Sequence, residues 1–190
     1  SGEGGLIAIN DPGFISRAEI IREKGTNRSA FYRGEVDKYG WVDIGSSYLP
    51  SDIIAAFLYA QLENVDKIQN RRKQIWNLYN NGLQDLQKKG KIQLPYIPDF
   101  ATNNAHLFYV LTASLDERTS LISYLKEKAV FPAFHYLSLH KSPYYKDKHD
   151  GRELKEADRY TNCLLRLPFY YELSDKDVQG IVKCIGEQKW

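Results

Sequence analysis

Between Trp41 and Leu62 the chain reads WVDIGSSYLPSDIIAAFLYAQL, and this passage restricts the possible folds more than any other. Gly45, Ser46 and Ser47 form a loop that turns at Pro50 into a long helix, where a proline in the first turn sacrifices no hydrogen bond. Ser51 is the better N-cap and Leu49 the other candidate, with Asp52 well placed against the positive helix end. From Ile53 to Ala60 every residue is apolar or aromatic, which predicts a helix segment buried on all sides. Past Leu62 the apolar positions thin to Val65, Ile68, Ile75, Tyr79, Leu83 and Leu86, a helical stripe between charges. One helix is therefore expected to leave a core and run on as an amphipathic strut to about Gly90. The serine-lined loop at its start is either an ordinary capped entry or a seat for an anion.

A length of 190 residues admits one large domain or two small ones. The net charge of +2 gives no case for nucleic acid, and the runs Arg71–Lys73 and Lys88–Lys91 read as solvated faces. No apolar run reaches the roughly 18 residues of a membrane span, and no signal-peptide pattern opens the chain. Cys163 and Cys184 make no disulfide framework and read as small core residues of a reducing, cytoplasmic compartment. The four histidines show no metal-ligand spacing. The glycines at 2, 4 and 5 run straight into LIAIN, which reads as the interior of a longer protein.

Leu6–Ile9 is expected to be a short strand, Asn10–Gly13 a turn, and Phe14–Lys24 a helix stopped by Gly25. The segment 26–45 is a long polar and aromatic loop, of the length that is functional or interfacial in compact domains. In it Asn27, Arg28 and Arg33 are donors for a phosphate or carboxylate, and Tyr32, Tyr39 and Trp41 offer flat surfaces. Ile92–Pro98 is an extended linker and the expected boundary, dividing the chain into 1–91 and 92–190. Beyond it come a strand over His106–Ala113, a helix over Glu117–Lys128 capped near Asp116, and a strand over Val130–Leu137 with Pro132 marking an edge or a bulge. A surface excursion then leads through a helix over Leu154–Cys163 to a strand over Leu164–Tyr170. Ser174 and Asp177 have capping-box spacing at the start of a last helix. This is a small α/β layer with helices on one face.

The run His135-Tyr136-Leu137-Ser138-Leu139-His140 looks most like chemistry, because strand ends in α/β layers point at ligand crevices. Two imidazoles and a phenol can donate to a hydroxyl, phosphate or carboxylate. No acidic neighbour in sequence orients either ring, and no nucleophile stands out, so ligand contact and loop anchoring both remain open.

Three passages carry a resemblance beyond these patterns: GEGGLIAIND, the long stretch from EKGTNRS through VDKYGWVDIGSSYLPSD to YAQLE, and FHYLSLH followed by LLRLPFY. Together they resemble the sugar aminotransferases of the DegT/StrS type across essentially the whole chain. The resemblance implies the C-terminal part of an aspartate-aminotransferase-like protein, pyridoxal-phosphate fold type I, made of a long connecting helix plus a small α/β domain. It implies pyridoxal 5'-phosphate as cofactor, glutamate as amino donor and a dTDP-4-keto-6-deoxyhexose as acceptor at C4. The family's catalytic lysine precedes the GEGG turn, so the resemblance leaves no catalytic residue on this chain and implies that it is inactive alone. Members are homodimers with shared active sites, whose loop before the connecting helix reaches the neighbour's cofactor phosphate. Where many relatives have Asn or Arg after the loop tyrosine this chain has Leu49, which shifts the cofactor contacts to Ser46, Ser47 and Tyr48. His135 and Tyr136 match the substrate approach, and Asn27 and Arg28 match contacts to the sugar or its diphosphate. The competing expectation is a self-standing ligand-binding or dimerisation domain without catalysis. Under the fragment reading, Leu6–Ile9 and Ile53–Ala60 present exposed apolar surface.

Overall fold

The computed structural model describes residues 2–190 and divides into two compact units, Ser1–Val65 and Asp66–Trp190. In the first, Leu6–Ile9 pairs with no strand, and Leu6 and Ile7 are exposed. The expected strand is absent among the described residues because no neighbouring strand offers it a ladder. A 3-10 turn over Pro12–Phe14, capped by the Asp11 carboxylate, opens α1 (Ile15–Arg22). The long loop contains a short helix, α2 (Arg28–Tyr32), and folds back on the end of α1. The Gly25 carbonyl accepts from the N–H groups of Val42 and Asp43, and Ser46 donates its own N–H to the Ile21 carbonyl. Gly25 has φ +77°, and a Cβ on it or on Gly45 would overlap the facing backbone, so only glycine allows this clasp.

Ser51 caps α3 (Asp52–Leu62) by accepting from the Ile54 N–H at 3.4 Å, and Pro50 lies just before the cap instead of inside the first turn. Two expectations fail here. Ile53–Ala60 is exposed throughout, against the burial its composition suggests and as the fragment reading expects, because no element of its own unit packs on it: among the described residues every buried apolar side chain belongs to the second unit. The helix is also not continuous. It stops at Glu63–Asn64, where the Asn64 side chain donates to the Ala60 carbonyl and competes with the next helical bond.

The second unit is organised on α4 (Val65–Lys88), whose buried stripe Ile75, Trp76, Tyr79 and Leu83 follows the expected period. β1 (Tyr109–Leu111), β2 (Ala133–Phe134) and β3 (Leu164–Arg166) form an antiparallel sheet in the order β1-β3-β2. Leu165 stands opposite Val110 and Phe134, and Arg166 opposite Tyr109 and Ala133. One face, carrying Val110 and Leu165, joins residues of α4, α5 (Leu115–Glu127) and α7 (Asp175–Glu187) in the core. Phe108 stacks on Tyr79 at 5.2 Å in the middle of it. The other face carries Tyr109, Leu111, Leu164 and Arg166, with only a small cluster around Cys163. The strands are shorter than expected, β2 being two exposed residues at the edge after Pro132.

Caps behave locally. Ser114, two residues before Asp116, caps α5, and Ser174 caps α7 by accepting from the Asp177 N–H at 3.1 Å. α6 (Lys155–Cys163) leads directly into β3. Arg71 and Arg72 are not solvated as expected. Arg71 bonds the Leu173 carbonyl and Asp175, while Arg72 bonds the Ala105 and His106 carbonyls under the Phe169 ring. Nor is the 92–98 segment a free linker, since Ile92 and Leu94 are buried in the core and Gln93 exchanges two backbone bonds with Leu111.

Candidate functional site

The candidate residues fall into two groups, one in each unit. In the first unit, Asn27, Arg28, Ser46, Ser47 and Tyr48 gather at the end of α1. Ser47 bridges Glu23, and the Tyr48 N–H donates to the Arg22 carbonyl. The loop backbone is thus pinned, while the Ser46, Ser47 and Tyr48 side chains are exposed and engage no described residue. Arg28 is braced: it donates to Glu23 at 3.0 Å and to the Tyr32 hydroxyl at 2.9 Å, and lies 5.2 Å from the Tyr32 ring centre. The Tyr32 hydrogen bond and charge, with help from Glu23, raise its pKa further above the ordinary arginine value. Asn27 accepts the Gly40 N–H at 2.8 Å and so holds the loop closed. These two side chains are engaged in shaping the loop, and the serine and tyrosine hydroxyls are its free donors.

In the second unit the HYLSLH run divides in two. His135 and Tyr136 follow β2 exposed, with rings 5.5 Å apart. Ser138 and His140 turn inward to α6. The Ser138 hydroxyl meets Asp158 at 3.1 Å and Thr161 at 2.6 Å, and His140 Nε2 lies 3.2 Å from Asp158. Lys141 sits 2.8 Å from the same carboxylate. Its hydrogen bond, followed by that of Ser138 and the charges of Lys141 and His140, lowers the Asp158 pKa. The acidic partner that no sequence neighbour supplied comes from α6. Loop anchoring therefore belongs to Ser138 and His140, and His135 and Tyr136 stay available to a ligand.

Sequence reasoning missed Arg166 and Tyr109, which face each other across β1 and β3. Arg166 Nε is buried without a partner, and no described residue bonds its other guanidinium nitrogens. A buried donor left unmade costs about 1–3 kcal/mol. Burial, with the neighbouring Tyr160, raises the Tyr109 pKa and keeps its hydroxyl protonated. The signal was present in LLRLP: an arginine inside an apolar strand whose two leucine neighbours face a core. Among the described residues no group of three or more His, Cys, Asp or Glu is arranged to hold a metal ion, and no helix is long and apolar enough to cross a membrane.

The sequence profile of the DegT/DnrJ/EryC1/StrS aminotransferase family matches residues 1–186. The spore coat polysaccharide biosynthesis protein SpsC of Bacillus subtilis is 24% identical over 98% of this chain and 50% of its own length. The uncharacterised protein MJ1066 of Methanocaldococcus jannaschii is 26% identical over 97% and 49%. Among solved structures, PseC of Helicobacter pylori, an aminotransferase of pseudoaminic acid biosynthesis, superposes with TM-score 0.79 at 18% identity, over 94% of this chain and 46% of that one. The putative sugar aminotransferase Spr1654 of Streptococcus pneumoniae, in its pyridoxal-phosphate form, gives 0.73 at 22% identity over 93% and 43%. The chain spans about half the length of the curated relatives it matches.

Proposed function

Because the chain belongs to the DegT/DnrJ/EryC1/StrS aminotransferase family, we propose that it is the C-terminal part of a pyridoxal-phosphate-dependent sugar-nucleotide aminotransferase. The profile match over residues 1–186 carries this reading. The finer reading is transfer of the amino group of glutamate to C4 of a dTDP-4-keto-6-deoxyhexose, as in dTDP-4-amino-4,6-dideoxygalactose transaminase. The product would enter a surface polysaccharide or lipopolysaccharide. Residues 1–91 would end the large domain and supply the interface loop and connecting helix, and 92–190 would form the small domain. The enzyme would be a cytoplasmic homodimer with shared sites, and this chain alone would be inactive.

Pyridoxal phosphate fits the first-unit loop as far as its phosphate is concerned, because Ser46, Ser47 and Tyr48 present three unengaged hydroxyls on a pinned backbone. When bound, the cofactor carries the amino group between donor and acceptor. The chain's own part is binding and positioning. The three hydroxyls would donate to the phosphate, while Asn27 and Arg28 hold the loop in shape and would approach the sugar or its diphosphate. His135 and Tyr136 orient the sugar from the small domain.

The exposed apolar face of α3 is the surface that the fragment reading expects, and the second reading is a dimerisation domain without catalysis. Both are tested by expressing the complete reading frame, adding pyridoxal phosphate and L-glutamate, and following dTDP-4-keto-6-deoxyglucose by mass spectrometry. An amino sugar nucleotide is the expected product. Cofactor-loaded protein that leaves every 4-keto sugar nucleotide unchanged would overturn the sugar assignment, and protein that takes up no cofactor would leave the dimerisation domain.

A further inference from the structure

β2 and the residues that follow it rest on one continuous piece of chain. Phe134, the last residue of β2, stands opposite Leu165 of β3, and α6 runs directly into β3. Asp158 and Thr161 lie three residues apart on α6 and so share one face of it. That face holds Ser138, whose hydroxyl is 2.6 Å from Thr161 Oγ1 and 3.1 Å from both Asp158 Oδ1 and the Ala157 carbonyl. The ionised carboxylate and the carbonyl can only accept, so the single Ser138 hydrogen is directed to them and Thr161 donates to Ser138. Asp158 also takes His140 Nε2 at 3.2 Å and Lys141 Nζ at 2.8 Å, so one carboxylate gathers Ser138, His140 and Lys141. Its helix is tied to α5 in turn, where Arg118 donates to the Thr161 carbonyl at 3.0 Å.

Between these two footholds His135, Tyr136 and Leu137 form a short arch with exposed side chains. A segment fixed at both ends has already lost the freedom that a ligand would otherwise have to remove. We propose that Ser138 is a positioning residue for the acceptor sugar: through Asp158 and Thr161 it holds His135 and Tyr136 in the geometry in which they meet that sugar. The identity of the ligand rests on the aminotransferase reading, whereas the arch and its footholds do not. His135 and Tyr136 serve the sugar in that reading, so the anchor acts on the acceptor half of the transfer and leaves the donor half alone.

The test uses the complete enzyme loaded with pyridoxal phosphate. Donor and acceptor react in separate halves, so kcat/KM for glutamate and kcat/KM for the sugar nucleotide each report their own half. In Ser138→Ala the value for dTDP-4-keto-6-deoxyglucose should fall about tenfold while that for glutamate stays within about twofold. Loss of folded enzyme would lower both together. Thr161→Val should show the same split, and Thr161→Ser, which keeps the donor, should match the wild type. Chymotryptic cleavage after Tyr136, located by mass spectrometry, needs no activity and tracks the population of the opened arch. It should accelerate about tenfold in Ser138→Ala, the equivalent of one hydrogen bond. Unchanged cleavage overturns the proposal, as does an active enzyme in which the two kcat/KM values fall together or neither falls; the aminotransferase reading survives both results. A wild type that transfers no amino group overturns that reading and the positioning of the sugar with it, whatever the cleavage.

Discussion

Tyr79→Phe isolates one hydroxyl at the centre of the second unit. Tyr79 is fully buried, its ring stacks on Phe108 at 5.2 Å, and its hydroxyl donates to the Pro168 carbonyl at 2.9 Å. Phenylalanine keeps the ring and leaves that carbonyl unmatched, for a loss of about 1–2 kcal/mol, or a fall in Tm of about 2–8 °C at this chain length. Tyr79→Leu also removes the ring contact and should lose about 2–4 kcal/mol. The hydroxyl adds a second signature. Burial raises the Tyr79 pKa above the ordinary value of 10.0, with smaller contributions from Tyr170 and Asp177. The unfolded chain therefore ionises first, so the stability of the wild type is full below about pH 10 and falls as pH rises above it. Tyr79→Phe has no such group, so its deficit should shrink above that pH. Urea unfolding followed by tryptophan fluorescence at neutral pH and above pH 10 measures both effects. Equal stability of the two proteins at neutral pH, or a deficit constant with pH, would refute the assignment of that hydrogen bond.

Two further predictions concern the loop and the α6 anchor. Gly25→Ala forces a side chain into a left-handed backbone and into the facing strand of the clasp, so at least about 1 kcal/mol of loop closure is lost. Tryptic cleavage after Lys38 should accelerate markedly, whereas Gly34→Ala, at φ +74° in open space, should leave the loop pinned; equal cleavage in both would contradict the clasp. For Asp158, whose folded pKa is lowered chiefly by Lys141, the contribution to stability is present above the ordinary value of 3.8 and is lost as pH falls through the folded pKa. Asp158→Asn should be less stable at neutral pH and show a flatter acid limb in thermal melts, and parallel limbs would remove Asp158 from the anchor.

Features written within a few residues were legible in the chain itself. The caps at Ser51 and Ser174, the α4 stripe through Ile75, Tyr79 and Leu83, and the edge character announced by Pro132 each depend on neighbours in sequence. What escaped depends on distant partners. Arg71 and Arg72 look solvated until Leu173, Ala105 and His106 present their carbonyls. His140 looks unoriented until α6 delivers Asp158. The apolar run Ile53–Ala60 speaks for burial, but burial needs an opposing surface, and composition does not say where that surface lies. Arg166 was overlooked because a single charge in LLRLP changes no strand pattern, although its Nε ends buried without a partner. The candidate loop was visible as a serine-lined helix entry, and the resemblance supplied the roles of its residues. Its shape, with Arg28 and Asn27 turned to bracing, follows from geometry.

The interruption at Asn64 has a consequence for how the chain breathes. α3 spans 11 residues, too few to hold a helix in water without support, and none of its side chains is buried. Its amide hydrogens exchange through fraying of the helix itself, an opening that leaves the rest of the chain intact. The amides around Ile75 and Tyr79 exchange only when the core separates. By ending the backbone ladder between the two helices, Asn64 keeps the frequent local event from propagating into the rare global one.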